Sequence, residues 1–165
     1  MGRLAIFPGT FDPFTLGHLD VVERAARLFD DVEVAVGINE LKKSLLTVEE
    51  RVDLIQRCTG HLDNVSVGSF EGLVSSYAVS RGAVALVRGL RQSGDFEYET
   101  RMAFANSELA DGLETVLLAT SPRVAFISST LVRDIHSWQG DVTPFVPPVV
   151  ADALRSRHQS NQNPG

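Results

Sequence analysis

Three separated stretches of this chain carry side chains able to handle a phosphate. The first lies at the start. An apolar run, Leu4 to Phe7, breaks at Pro8-Gly9, and the loop that follows ends in Gly17-His18. Leu19, Val21, Val22, Ala25, Ala26 and Leu28 then recur with helical spacing. Strand, glycine-bearing loop and helix place unpaired N–H groups and a partial positive charge at the helix start, where both favour a phosphate. A histidine at that end, protonated or donating a hydrogen bond, can touch negative charge building on a phosphoryl group. The same opening is common in α/β proteins, where a glycine such as Gly9 serves only the turn and the histidine is structural. The loop contains neither Gly-Lys-Ser/Thr nor Gly-x-Gly-x-x-Gly, so two familiar nucleotide loops are excluded.

The second stretch is Arg88-Gly-Leu-Arg91, directly after an apolar run. Guanidinium groups pair bidentately with phosphate oxygens, so two arginines three apart can form a clamp; in a generic loop they are solvated. Asp95-Phe-Glu-Tyr-Glu99 follows. Asp95 is placed to cap the next helix. Glu99 can accept from a ribose or adenine donor, pair with an arginine, or simply favour the helix dipole. The third stretch, Phe126-Ile-Ser-Ser-Thr130 with Arg133, puts hydroxyls beside free N–H groups at a helix start, an arrangement suited to a triphosphate and equally to an ordinary cap. Lys42 and Lys43 fall in another loop, where a lysine can reach a substrate phosphate as a mobile point charge or remain solvated.

These residues need a scaffold, and the pattern supplies one. Short, almost continuously apolar runs at Leu4–Phe7, Val32–Ile38, Val65–Val67, Val84–Val87 and Thr115–Ala119 predict strands buried on both faces. Helical patterns alternate with them near His18–Phe29, Val48–Thr59, Gly72–Ser80, Asp95–Glu108, Ser129–Ser137 and Pro147–Arg157. The alternation predicts a single α/β domain with a doubly wound parallel sheet, Rossmann-like in plan. In such sheets ligands collect beyond the strand carboxyl ends, near the reversal of strand order. The candidate residues fall in, or just beyond, those loops. Thr47-Val-Glu-Glu50 reads as a capping box. The domain is expected to span residues 1–158, with a polar, disordered tail over 159–165.

Composition narrows the class. The 165 residues suffice for one domain with a sizeable core. Hydrophobic residues make up 44% and charged residues 22%, as in an ordinary soluble globule. No apolar run approaches the roughly 18 residues of a membrane span, and no signal segment opens the chain. The single cysteine, Cys58, excludes an internal disulfide and a cysteine-rich metal site, and reads as a buried structural thiol. His61, His136 and His158 have no partners at metal-ligand spacing, so no protein metal site is expected. A net charge of −6 argues against a nucleic-acid binder while leaving room for an anionic small molecule held by local arginines. A cytoplasmic location fits these features.

Taken together, Phe7-Pro-Gly-Thr-Phe-Asp-Pro13 with Thr15-Leu-Gly-His18 resembles the opening signature of the nucleotidylyltransferase superfamily. Thr15 stands where most members carry a first histidine, a variant typical of the phosphopantetheine adenylyltransferases. Arg88-Gly-Leu-Arg91 followed by Asp95-Phe-Glu-Tyr-Glu99 resembles a block that separates that family from other members. Ile127-Ser-Ser-Thr-x-x-Arg133 is similar to the second superfamily signature. There the phosphopantetheine enzymes more often show a serine and a lysine at the places of Thr130 and Arg133. Those two residues lean toward the nicotinate-mononucleotide adenylyltransferases.

The resemblance runs from about Arg3 to Leu154. It implies transfer of the adenylyl group of ATP to 4′-phosphopantetheine, giving dephospho-coenzyme A and pyrophosphate, with Mg²⁺ arriving on the nucleotide. It implies His18 as transition-state stabiliser, with Thr10 and Lys42 orienting and neutralising the attacking phosphate. Arg91 and the Ser128–Thr130 helix start would hold the ATP phosphates. Arg88 would bind the substrate phosphate, and Val74 would lie near the pantetheine arm. Nucleotide contacts would come from Thr10, Phe11, His18, Gly89, Leu90, Arg91, Glu99 and the segment Val124, Ala125, Phe126, Ile127, Ser128, Ser129 and Thr130. Val124 stands where many relatives carry an aromatic residue. A homohexamer and inhibition by coenzyme A are further implications. An adenylyltransferase for nicotinate mononucleotide and a non-catalytic nucleotide-binding module remain the alternatives.

Overall fold

The computed structural model describes residues 2–39, 41 and 43–162. Five strands, β1 (Leu4–Gly9), β2 (Asp31–Gly37), β3 (Val65–Phe70), β4 (Ala85–Leu90) and β5 (Glu114–Ala119), form one sheet in the order β3-β2-β1-β4-β5. Every pairing is parallel. The helices are α1 (Leu16–Ala25), α2 (Val48–Thr59), α3 (Val74–Arg81), α4 (Ser93–Leu109), α5 (Ser129–Ser137) and α6 (Pro148–Gln162). The expected alternation and the doubly wound parallel sheet are both present. Among the described residues, no helix is long and apolar enough to cross a membrane.

Strand alternation divides the core in two. Ala5, Phe7, Val32, Val34, Val36 and Val87 join α1, α2, α5 and α6 on one face. Ile6, Ala35 and Leu86 meet Ala78 of α3 and, just past the end of α4, Ala110 and Leu113 on the other. Cys58 belongs to the first cluster, buried as expected. Glu33 is the exception on the second face. Its buried carboxylate is satisfied by the Tyr77 hydroxyl and by Arg81 Nε at 2.8 Å. The chain winds outward through β1, β2 and β3, then returns to β4 beside β1. The order therefore reverses between β1 and β4, and the crevice at their carboxyl ends is where ligands enter such a sheet.

Several boundaries differ from the sequence reading. Strand β4 continues to Leu90, so Arg88 is a strand residue rather than a loop residue. Helix α1 stops at Ala25 instead of Phe29, because Arg27 and Leu28 bond only three residues back, in tight turns. Asp95 does not cap α4. The cap is Gln92, and Asp95 reaches back from the first turn to the N–H groups of Arg91 and Gln92, at 2.9 and 3.3 Å. Helix α6 runs to Gln162, past the expected boundary at residue 158, so the expected tail begins with helical backbone. No proline interrupts the sequence before Pro164, and the Arg157–Glu50 ion pair and the His158–His136 bond anchor the preceding turn. The Thr47–Glu50 capping box forms as read, with bonds of 3.1 and 2.7 Å.

Candidate active site

The loop after β1 is shaped by aromatic packing. The Phe11 ring lies over Gly9, where a Cβ would come within 2.8 Å of its Cζ. Gly9 is therefore required by close approach rather than by the turn. Phe11 itself sits at φ 50°, in the left-handed region that non-glycine residues rarely occupy. That strain aims its ring at Phe7, Phe14 and His18. His18 stacks on Phe14 with centroids 5.5 Å apart and meets Phe11 edge-on at 5.0 Å.

Thr15 caps α1, and His18 is the third helical residue. The Thr15 hydroxyl accepts from His18 N–H, while His18 Nδ1 accepts from Thr15 N–H at 3.0 Å. This is a capping box with imidazole in the usual place of a carboxylate. Because Nδ1 accepts, the neutral ring carries its proton on Nε2. Burial, then the charges of Arg91 and Arg88, push the His18 pKa down to about 3. The sequence left a choice between an imidazolium and a neutral donor. The geometry selects the neutral donor.

His18 lines a cavity of about 290 Å³ at the β1–β4 crevice, with Gly9, Thr10, Arg88, Gly89 and Arg91. Arg88 forms a fork-to-fork pair with the buried Glu99, at 2.9 and 2.8 Å, and donates to Pro8 O at 2.8 Å. Of the readings open for Glu99, the structure therefore shows the arginine pair. Such a pair fixes the guanidinium plane. Arg91 is looser. Its Nη1 reaches Ile127 O at 3.4 Å, and Asp95 stands 3.7 Å from its Nε.

The start of α5 closes the cavity. Ser128 Oγ accepts from Leu131 N–H, so the capping role read from the sequence is real. Ser129 donates to Pro13 O at 2.8 Å, and Arg133 bridges Asp12 O and the Thr130 hydroxyl. Arg133 thus ties α5 to the β1 loop. Within α1, Asp20 accepts from both the N–H and the hydroxyl of Ser121, at 3.0 and 2.5 Å, and so fixes the start of the loop after β5.

A second cavity of about 330 Å³ shares Pro8, Gly9, Thr10, Arg88 and Glu99 with the first. Beyond that wall its character changes. Phe70, Val74, Leu86, Met102 and Ala103 line it, with Asn106 and Thr115 as polar exceptions. Asn106 is buried in this lining. The Thr115 hydroxyl is buried without a partner. Sequence reasoning found Val74 but missed Phe70, Met102, Asn106 and Thr115. The one local signal was Met102-x-x-x-Asn106, a helical spacing on a chemically unremarkable helix.

Thr10, Phe11, His18, Arg88, Gly89, Arg91, Glu99, Ile127, Ser128, Ser129 and Thr130 all line one cleft. Leu90, Val124, Ala125 and Phe126 do not line it. Val124 packs against the core, and the exposed Phe126 meets Phe145 edge-on at 6.2 Å. Lys42 lies outside the described residues. No group of three or more metal-binding side chains occurs among those described. The cleft's acids, Asp95 and Glu99, are turned toward arginines. Its serine and threonine hydroxyls fit a magnesium ion held mainly by phosphate oxygens and water.

Comparison with known proteins agrees with this geometry. Residues 6–135 match the family model described as cytidylyltransferase-like. The chain is 48% identical over 155 residues to the phosphopantetheine adenylyltransferase of Streptomyces coelicolor, covering 94% of this chain and 97% of that one. It is 44% identical over 163 residues to the enzyme of the same name from Clostridium perfringens, covering 99% of each. A solved Vibrio parahaemolyticus structure, provisionally named a nicotinate-nucleotide adenylyltransferase, superposes with a TM-score of 0.69 at 22% identity, over 93% of this chain and 91% of that one. At that identity the likeness carries the fold alone. The chain belongs to the cytidylyltransferase-like family and, within it, to the phosphopantetheine adenylyltransferases.

Proposed function

We propose that this chain transfers the adenylyl group of ATP to 4′-phosphopantetheine, giving dephospho-coenzyme A and pyrophosphate, the penultimate step of coenzyme A biosynthesis. The observation that carries the reading is the two-lobed cleft: a cationic lobe at the β1–β4 crevice opens onto an apolar one, with Thr10 and Arg88 at the junction. ATP suits the first lobe, and an extended apolar arm ending in a phosphate suits the second.

An oxygen of the acceptor phosphate attacks the α-phosphorus of ATP in line. The new P–O bond forms as the bond to pyrophosphate breaks. The chain supplies positioning and charge stabilisation rather than a covalent intermediate. Neutral His18 donates Nε2–H to an oxygen on the α-phosphorus as negative charge builds there. The Thr10 hydroxyl and Lys42 orient the attacking phosphate, and Arg88, held by Glu99, binds it. Arg91 and the first turn of α5 hold the ATP phosphates. Mg²⁺, when bound with ATP, neutralises charge on those phosphates. Asn106 is placed to bond an amide of the pantetheine arm.

Coenzyme A, which contains the same arm, would compete for the apolar lobe. A homohexamer belongs to the same reading, and α4, which exposes Phe96, Tyr98, Phe104 and Leu109 in the single chain, offers an apolar face for association between copies. A cytoplasmic location completes the reading.

The deciding experiment measures pyrophosphate release from MgATP with 4′-phosphopantetheine, with nicotinate mononucleotide, and with no acceptor. Release only with phosphopantetheine, with dephospho-coenzyme A detected by mass, is expected. Release only with the pyridine nucleotide would move the assignment to that enzyme. ATP binding without turnover on any acceptor would leave a nucleotide-binding module.

A further inference from the structure

Two buried charges face opposite ways between the β1 loop and the start of α2. Arg51, on α2, is only 4% exposed. Its Nη1 donates to Thr10 O at 2.7 Å, and its Nε donates to Thr47 O at 3.2 Å. Asp12, in the β1 loop, is also 4% exposed. Its two carboxylate oxygens accept from the N–H groups of Leu45 and Leu46, each at 2.8 Å. No carboxylate among the described residues forms an ion pair with Arg51, and no cation forms one with Asp12. Each charge is therefore met by main-chain dipoles, Asp12 by those of the other segment and Arg51 by one carbonyl from each.

Burying a charge without a counter-ion is costly, and well-packed apolar residues often serve stability as well as buried ions do. The gain from this arrangement is geometric. Three hydrogen bonds of fixed direction lock two loops that are far apart in sequence, and the fourth holds Arg51 to its own helix start. One of those loops carries Thr10, which lines both lobes of the cleft. Arg51, without an ion-pair partner among the described residues, also sets a positive charge behind the Thr10 carbonyl.

We propose that Arg51 and Asp12 are positioning residues for the acceptor phosphate, stapling the Thr10 loop to the Leu45–Thr47 segment so that Thr10 meets that phosphate from a fixed position. This rests on the adenylyl-transfer reading given above. It predicts selectivity between the substrates, because α5 holds the far end of this loop through Pro13 O and the Asp12 main-chain O, and Asp20 holds the loop after β5, without help from either side chain.

The test is steady-state kinetics on the full chain, varying each substrate in turn. Arg51→Met is expected to raise KM for 4′-phosphopantetheine by about tenfold or more, as displacement of a positioned group does, with KM for ATP changed less than about twofold. Arg51→Lys keeps the charge but loses the fork, and should fall between that variant and wild type. Asp12→Asn, which sets an amide donor against a main-chain N–H, should show the same selectivity. Because these substitutions are buried, a second measurement uses the unaltered protein: hydrogen exchange at the Leu45 and Leu46 amides. Exchange should slow on adding 4′-phosphopantetheine and stay unchanged with a non-hydrolysable ATP analogue. Folded variants whose two KM values move together or not at all, or Leu45 and Leu46 amides indifferent to phosphopantetheine, would overturn the proposal. Wild-type protein inactive with phosphopantetheine would instead overturn the substrate reading and this inference with it.

Discussion

The two lobes of the cleft are built by opposite strategies. In the cationic lobe, polar side chains are immobilised by partners before any ligand arrives. His18 is tied to Thr15, Arg88 to Glu99, Ser128 to Leu131 and Ser129 to Pro13. In the apolar lobe, the Thr115 hydroxyl has no partner among the described residues, and Asn106 joins it among Phe70, Val74 and Met102. Prepaid order suits the lobe where charge must be stabilised as it develops, since donors that need not reorganise are the most effective there. Open hydrogen-bonding capacity suits the lobe that must recognise a long neutral arm, since a buried polar group left unpaired rejects any ligand unable to match it.

That contrast can be broken by substitution. His18→Ala should lower kcat by about two to four orders of magnitude, the scale of losing an electrostatic stabiliser, while KM for ATP changes severalfold at most. Near-normal turnover would end the transition-state role. Asn106→Leu should act in the other lobe, raising KM for phosphopantetheine by about ten- to a hundredfold and sparing that for ATP. Equal effects on both substrates would show that the lobes do not divide the ligands.

Acidity sharpens the comparison, because only the cationic lobe contains a histidine. With the His18 pKa at about 3 in the folded chain, the free enzyme's kcat/KM should show no loss attributable to this ring near pH 6.5. The stability consequence has a definite sign. As pH falls through 6.5 the unfolded chain takes up a proton on this histidine that the folded chain refuses. Stability is therefore full above 6.5 and is lost progressively between 6.5 and about 3. His136 is lowered as well, by burial and then by His158 and Arg157, and adds in the same direction. Urea unfolding of wild type and His18→Ala at pH 7 and pH 5 checks this, with the larger acid-side loss expected in wild type.

Smaller effects probe the wall and the periphery. Gly9→Ala pushes a methyl into the Phe11 ring, and should cost about 1–3 kcal/mol in denaturant unfolding while impairing both lobes, which share this residue. Thr47→Ala removes the α2 cap and should cost about 1 kcal/mol by the same measurement, with little selectivity between substrates.

The amino-acid sequence by itself determined the sheet, the alternation of helices and most of the cationic lobe. Those features are local. A strand is an apolar run, a cap is a residue type at a fixed offset, and Thr15-Leu-Gly-His18, Arg88-Gly-Leu-Arg91 and Ser128-Ser-Thr130 are each contiguous. Tertiary structure decided whatever depends on atoms brought from distant segments. The partner of Glu99, the exclusion of Val124 and Phe126 from the cleft, and the need for glycine at position 9 are set by packing. The apolar lobe is a meeting of Phe70, Val74, Asn106 and Thr115 from two strands and two helices, and no periodicity within any of them encodes the others. The state of His18 was undecidable for the same reason. Its spacing announces a histidine at a helix start, but its charge is set by three phenylalanine rings and by arginines seventy or more residues away, which only the folded chain brings beside it.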